Sequence, residues 1–244
     1  MKKFFTVVLA LCVILSLAAC GKTAPTEAPT QAPTEAPTEA PTEAPTEAPT
    51  EAPTEAPTEA EVLSPAVGVV DGNSYVNTVL GISAELDAEW TVLSDLEIAD
   101  LYGYTLESFT DAKLKESMES AGSMIVFYAK RSEGLETLNI SVSSSSLFSY
   151  LGSNEEAVVQ LLIPQLQAQL PAAGITVESV EAGTVEFAGQ EHACVDIVGS
   201  MNGVTLYEKQ VILLSGDYMF VVTTASYMNN TCDEMLASFT ALAE

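Results

Sequence analysis

The sequence predicts an α+β domain with a largely antiparallel sheet of about six to eight strands and helices on both faces, preceded by a disordered Pro/Thr/Glu stalk. Three observations support this prediction. A proline-rich repeat precedes all other segments, hairpin signals separate short apolar segments, and capping boxes of the form S/T-x-x-E begin amphipathic stretches between them. Residues 124–129 and 218–222 are apolar at consecutive positions, which indicates strands covered on both faces.

The first twenty residues indicate export. Lys2 and Lys3 precede an apolar stretch at 4–19, which is shorter than the ~20 residues of a membrane-spanning helix and typical of a signal peptide. The motif L-A-A-C at 17–20 resembles the bacterial lipobox at all four positions. This resemblance implies a mature lipoprotein that begins at Cys20 and is held at the membrane by acyl chains such as palmitate. An ordinary signal-peptidase site with an unmodified Cys20 is the alternative.

Residues 24–59 form a low-complexity repeat of nine A-P-T-E tetrapeptides, one of which ends in Gln31. Proline at every fourth position removes backbone donors, and the regularly spaced glutamates repel one another, so we expect an extended stalk of ~3.1 Å per residue. The threonines are candidates for O-glycosylation. We therefore divide the chain into a signal peptide at 1–19, a lipidated cysteine and linker at 20–61, and one globular domain at 62–244.

The composition is strongly acidic. The 244 residues carry 34 Asp and Glu, 8 Lys and Arg and one histidine, which gives a formal net charge of −26. Nucleic-acid binding needs clustered Lys and Arg, so this balance excludes nucleic-acid partners. Residues 62–244 alone hold 25 acidic and 5 basic side chains. A segment of this length is sufficient to bury one hydrophobic core.

Four helices are predicted within the domain. Capping boxes at Ser94-x-x-Glu97, Ser153-x-x-Glu156 and Thr231-x-x-Glu234 begin three of them. The first reaches about residue 101. The second reaches 170 and should be kinked at Pro164, and the third has an apolar face that extends to Leu242. A fourth helix is expected from 106 to 119, ending at Gly122.

Strands fill the intervals between the helices. The predicted strands are 81–86 paired with 90–93, 124–129 paired with 138–142 through a turn at 131–134, one or two at 175–187, 191–199 paired with 205–214 through Asn202-Gly203, and 218–225. Residues 138–142 alternate between apolar and polar, which predicts a half-exposed strand. Asp71-Gly72-Asn73 is typical of a turn and not of a calcium loop.

One segment resembles a known family. Residues 75–90, Y-V-N-T-V-L-G-I-S-A-E-L-D-A-E-W, followed by the order of elements above, resemble PsbP-like domains. The family's motif of a strand followed by Pro-x-Gly-Trp appears at 86–90 as L-D-A-E-W, without the Pro and Gly. The resemblance is mainly architectural, covers most of residues 74–244 and implies an α/β/α sandwich that serves as a binding or assembly module more often than as an enzyme. No binding residue is carried over.

Few residues are candidates for a metal-binding, redox or catalytic role. His192, Cys194 and Asp196 alternate onto one face of a predicted strand, and their types suit zinc, so they are weak candidates for a metal site. The alternative is an edge position with a small buried thiol and an acid near solvent. Cys194 and Cys232 could pair as a disulfide outside the cytoplasm, or remain two separately buried thiols. We expect no cofactor and no catalytic residue.

These features favour a membrane-anchored extracytoplasmic lipoprotein, exposed at the cell surface or in the wall zone. Its stalk would display a non-enzymatic domain that binds an envelope protein, a peptide or a small ligand. A hydrolase or metal-dependent enzyme with a site around His192 is the alternative function. A third interpretation is a structural spacer domain.

Overall fold

The computed structural model describes residues 63–145 and 154–243, so the predicted signal peptide and linker lie outside it. Its strands are β1 (Val69–Asp71), β2 (Ser74–Asn77), β3 (Ile82–Glu85), β4 (Thr91–Val92), β5 (Ser123–Arg131), β6 (Glu136–Ser144), β7 (Thr176–Phe187), β8 (Gln190–Met201), β9 (Val204–Ser215), β10 (Tyr218–Tyr227) and β11 (Phe239–Ala241). Its α-helices are α1 (Asp95–Tyr102), α2 (Asp111–Ala121), α3 (Glu155–Gln169) and α4 (Cys232–Leu236).

The strands form two antiparallel sheets. The large sheet has seven strands in the order β4-β5-β6-β10-β9-β8-β7, and the small sheet has four in the order β1-β2-β3-β11. Strand β7 ends the large sheet and pairs only with β8 among the described residues, which leaves its outer edge free. No helix among the described residues is long and apolar enough to cross a membrane.

Successive side chains of each strand point to opposite sides of the large sheet. Helices cover both sides, and each side holds a buried apolar cluster. On one face, Val158, Leu162 and Leu166 of α3 pack against a cluster that includes Val195 and Ile212. On the other face, α4 and the small sheet bury a second cluster. Its members include Tyr75, Cys194, Val211, Phe220, Met235 and Phe239. The predicted α+β class, the antiparallel sheet and its two-sided cover are confirmed.

The hairpins follow the turn chemistry of the sequence. Asn202 and Gly203 have φ of 52° and 80°, as a type I′ turn requires, and they join β8 to β9 as predicted. Asp71 ends β1, and the turn at Gly72 leads into β2, so that β1 and β2 form a hairpin. The sequence predicted the turn but not the two strands. The predicted pairing of 81–86 with 90–93 is wrong. Strand β3 pairs with β2 and β11, whereas β4 pairs with β5.

The helix termini confirm one of the three predicted capping boxes. Ser94 and Glu97 form the reciprocal box that begins α1. Helix α3 begins after Asn154, whose Oδ1 accepts from the Ala157 N–H at 3.0 Å, and the predicted cap at residue 153 lies outside the described residues. Pro164 lies within α3, which continues to Gln169. The helix expected from 106 is a 3₁₀ turn at Leu106–Ser108 followed by α2, which ends at Gly122 as predicted.

The C-terminal prediction is also wrong beyond Leu236. Helix α4 ends there, and Phe239–Ala241 is instead β11, which pairs with β3. The Phe239 ring lies 5.1 Å from that of Phe187, so this extended path buries an aromatic side chain that a longer helix was expected to carry. The Thr231 hydroxyl donates to Glu136 and accepts no hydrogen bond from a backbone N–H of α4.

Strand β6 is buried on both faces, contrary to the expected half-exposed position. Its polar side chains Thr137, Asn139, Ser141 and Ser143 are all buried, as are the apolar ones between them. Helix α2 packs against β5 and β6. Burial by another element cannot be predicted from the alternation of polar and apolar residues within the strand itself. Tertiary packing therefore overrides the local pattern here.

Candidate functional site

The candidate site lies where β8 and β9 separate. The two strands pair from Met201 and Val204 as far as Cys194 and Val211. The first residues of β8, including His192, have no partner in β9, although they still pair with β7. A notch therefore opens between the start of β8 and the end of β9.

The side chain of Glu155, the first residue of α3, occupies this notch. Both of its carboxylate oxygens lie 3.1 Å from His192 Nδ1, and Oε2 also accepts from the Ala193 N–H at 3.3 Å. An ionised carboxylate only accepts hydrogen bonds, so Nδ1 carries a proton and Nε2 of a neutral ring is an acceptor. Within the described part of the chain, Nε2 has no hydrogen-bond partner. Glu155 thus orients the only histidine of the protein.

Two clefts meet at this pair. The inner cleft, of about 190 Å³, is lined by Glu155, His192 and mainly apolar residues, namely Val79, Leu80, Ile82, Phe187, Leu213 and Ala241, among others. The outer cleft, of about 470 Å³, is polar and is lined by Asn154, Glu155, Glu156, Thr184, Glu191, His192 and Ala193. An oriented imidazole and a carboxylate at the junction of two clefts form a candidate binding site whose groups are capable of acid-base chemistry.

The structure separates the three predicted metal candidates. His192 contacts Glu155, whereas Asp196 lies 3.3 Å from the Lys209 ammonium, which in turn lies 2.6 Å from Asp233. Cys194 Sγ lies 3.8 Å from Asp196. Among residues 63–145 and 154–243, no group of three His, Cys, Asp or Glu side chains could hold a metal ion.

Lys209 is held as a cation beneath α4. Its side chain is 11% exposed, whereas those of Asp196 and Asp233 are 45% and 72% exposed. Burial alone lowers the pKa of the Lys209 ammonium, but the hydrogen bond to Asp233 and the charge of Asp196 outweigh it, and the net pKa is raised. This cluster ties α4 to β8 and β9.

Cys194 and Cys232 are free and buried thiols with different neighbours. Cys232 Sγ lies 3.6 Å from the Tyr207 carbonyl oxygen and 3.7 Å from that of Thr224. Burial raises the pKa of each thiol to about 11, so the reactive thiolate is scarce at neutral pH. The arrangement suits packing and not nucleophilic catalysis.

A buried carboxyl on the opposite face of β9 was not predicted. Glu208 is 3% exposed, and its Oε1 accepts from Gln210 Nε2 at 2.6 Å. Glu208 Oε2 and Gln210 Oε1 have no hydrogen-bond partner in the described residues. Burial raises the pKa of Glu208 to about 7. A carboxyl that ionises near neutrality in the interior carries a stability cost above that pH.

Fold and site together define an α+β domain with a seven-stranded antiparallel sheet and a carboxylate–histidine cleft at one end of it. No protein family matches the chain, and no curated protein does.

Three solved structures are similar at 12–13% identity. Cyanobacterial PsbP (CyanoP) from Synechocystis sp. PCC 6803 has a TM-score of 0.39 and 12% identity over 72% of this chain and 95% of its own. A protein of Bacteroides thetaiotaomicron VPI-5482 has a TM-score of 0.34 and 12% identity over 72% and 50%. LpqN, involved in cell envelope biogenesis of Mycobacterium tuberculosis, has a TM-score of 0.33 and 13% identity over 70% and 86%. At these values the likeness gives no information about the function of this chain.

Proposed function

We propose that the chain is an extracytoplasmic lipoprotein whose domain is a non-enzymatic module that binds a cationic partner. The lipobox and Cys20 support the anchor, and the repeat at 24–59 supports a stalk that holds the domain away from the membrane. The sequence resemblance to PsbP-like domains implies a binding or assembly role of the same class. The partner would be an envelope protein or a peptide with exposed Lys or Arg side chains.

The observation that carries this proposal is a long segment without basic residues. Residues 132–208 contain no Lys or Arg and ten acidic residues, namely Glu133, Glu136, Glu155, Glu156, Glu178, Glu181, Glu186, Glu191, Asp196 and Glu208. Strands β7 and β8 and the start of α3 all come from this segment. Six of the ten are exposed, namely Glu133, Glu156, Glu178, Glu181, Glu186 and Glu191. Their charges attract cations over a Debye length of ~8 Å at physiological salt and repel anions.

Charge neutralisation in matched positions tests the binding proposal. The triple variant Glu178→Gln, Glu181→Gln, Glu186→Gln removes three exposed charges from β7. We expect it to weaken binding of the full chain to the peptide Ac-(Gly-Lys)5-NH2 roughly five- to tenfold at ~0.15 M salt, since each exposed charge contributes a few tenths of a kcal/mol. Surface-immobilised full chain and an optical binding assay provide the measurement.

The control variant removes the same charge elsewhere. Glu107→Gln, Glu116→Gln, Glu119→Gln changes three exposed acids near and on α2, outside the segment without basic residues. Equal weakening by the two triple variants would mean that net charge alone drives binding. Absence of binding by the unmodified chain would refute the cationic partner.

The anchor has its own test. We expect Cys20→Ala to move the protein from the membrane fraction to the growth medium, because the thiol is the acylation site in a lipobox. Fractionation followed by immunoblotting measures the distribution. Retention of Cys20→Ala in the membrane fraction would contradict the anchor and leave the binding proposal intact.

The enzymatic alternative has one observation in its favour. The Glu155 carboxylate orients His192 in the way that a carboxylate positions a general base, and Nε2 of that ring is available. The free thiols are not activated as nucleophiles. Loss of a hydrolytic activity of the full chain on replacement of His192 by Gln would favour this alternative.

A further inference from the structure

We infer that the inner cleft binds one ammonium or guanidinium group on an aliphatic stem, as in the side chain of Lys or Arg. This inference rests on the proposed function and names the position at which a cationic partner would be recognised. Three features support it: the shape of the notch, the side chains that line it and the balance of charge around Glu155.

The notch is a fixed feature of strand pairing. Strand β9 continues beyond Val211 to Ser215, but there it pairs only with β10, while β8 before Cys194 pairs only with β7. The edge of β8 that faces the notch therefore lacks a strand partner, and the Ala193 N–H donates to Glu155 instead. A cleft of about 190 Å³ remains between the two strands.

The walls of the inner cleft suit an aliphatic stem. Val79 and Leu80 are partly exposed apolar side chains at its wall, with the buried side chains of Ile82 and Leu213 behind them. Lys and Arg side chains bury their methylene groups against such surfaces while the charged end reaches polar groups.

The charge balance selects a cation. Glu155 receives only the His192 and Ala193 N–H groups, and no Lys or Arg among the described residues lines either cleft. Glu156 and Glu191 line the outer cleft and add negative potential. Lys209, the nearest lysine along these strands, is held by Asp196 and Asp233. An ammonium group could pair with the Glu155 carboxylate, whereas a carboxylate or phosphate would be repelled.

The single histidine gives a direct readout, because its ring protons produce the only imidazole NMR signals of the full chain. We expect saturable shifts of these signals on titration with Ac-Gly-Lys-Gly-NH2 and with Ac-Gly-Arg-Gly-NH2. The neutral analogue with norleucine in place of lysine should cause none. Tighter binding of butylamine than of the lysine peptide would identify a free amine, and not a protein side chain, as the source of the cation.

Variants locate the site. Glu155→Gln should weaken the lysine peptide about tenfold or more, since a hydrogen bond to a charged group contributes ~1.5–3 kcal/mol. Glu234→Gln removes the same charge from the first turn of α4 and should change the affinity less than twofold. If Glu155→Gln disturbs folding, Leu80→Trp, which narrows the cleft from its apolar wall, should abolish the shifts.

The outcomes separate the site from the function. Unchanged affinity in Glu155→Gln, or equal binding of the norleucine peptide, would overturn the cleft as the site. Ac-(Gly-Lys)5-NH2 would still bind the chain in that case, because its binding depends on the whole acidic surface. If neither Ac-(Gly-Lys)5-NH2 nor Ac-Gly-Lys-Gly-NH2 binds the unmodified chain, the proposed function is overturned as well.

Discussion

Two adjacent residues of β9 show how differently the two faces of the large sheet treat a buried charge. Lys209 faces α4 and lies between the carboxylates of Asp196 and Asp233. Glu208 belongs to the strand positions that face the other way, and its only hydrogen-bond partner among the described side chains is the Gln210 amide. One face therefore stabilises a buried charge, and the other disfavours it.

The pKa values of the two residues reflect this difference. The net pKa of Lys209 is raised because its acidic partners outweigh the effect of burial, so the ammonium stays charged. The pKa of Glu208 is raised to about 7 by burial, so the carboxyl tends to stay protonated. Charged partners thus determine which of two neighbouring ionisable groups remains ionised. Two substitutions test the comparison.

The larger effect is expected from Glu208→Gln. A carboxyl with a higher pKa in the folded state stabilises the fold below its unfolded pKa of about 4.5, and this stability is lost as the pH rises through about 7. The shift corresponds to a cost on the order of 3 kcal/mol at pH 8. Glu208→Gln should therefore raise the free energy of unfolding at pH 8 and flatten its decrease between pH 5 and 8.

Urea unfolding of both proteins at pH 5 and pH 8 provides the measurement. Glu234→Gln, which alters an exposed carboxylate in α4, serves as the control and should keep the pH dependence of the parent chain. A decrease with pH that is as steep in Glu208→Gln as in the parent would show that the buried carboxyl does not control it.

A smaller effect is expected from Lys209→Met. Removal of the ammonium leaves Asp196 and Asp233 facing each other without their cation. Because both carboxylates are substantially exposed, solvent screens them, and we expect a loss of ~1–2 kcal/mol, below the 3–5 kcal/mol typical of fully buried pairs. Lys115→Met, at an exposed position of α2, should change stability by less than ~0.5 kcal/mol.

The same urea titrations measure this loss. If Lys209→Met matches the parent chain in stability, the ion pairs do not hold α4 to the sheet, and the contrast between the two faces reduces to hydrophobic packing alone.

The sequence predicted the features that depend on local chemistry. The Asn202-Gly203 turn, the Ser94 capping box and the end of α2 at Gly122 each require only a few neighbouring residues, and each is confirmed. The strand at Phe239 could not be predicted in this way, because it depends on pairing with β3, more than 150 residues earlier along the chain (Thr240 pairs with Ser83).

The candidate site was half predictable for the same reason. His192 stood out as the only histidine, but Glu155 appeared only as one of two acids in the first turn of a helix. Their contact depends on where α3 begins relative to β8. Glu208 and Gln210 could not be identified in advance, because together with Lys209 they form a polar run that suggests exposure, and the structure buries all three.

The free edge of β7 bears on crowding among copies of the protein. Alternate residues of this twelve-residue strand direct N–H and C=O groups to a side that has no strand partner in the described part of the chain, which forms a template on which identical chains could stack. Glu178, Glu181 and Glu186 are exposed along this strand, so a second copy aligned against it would bring like charges together. The same glutamates that we propose attract a cationic partner therefore also disfavour edge-to-edge pairing of two copies.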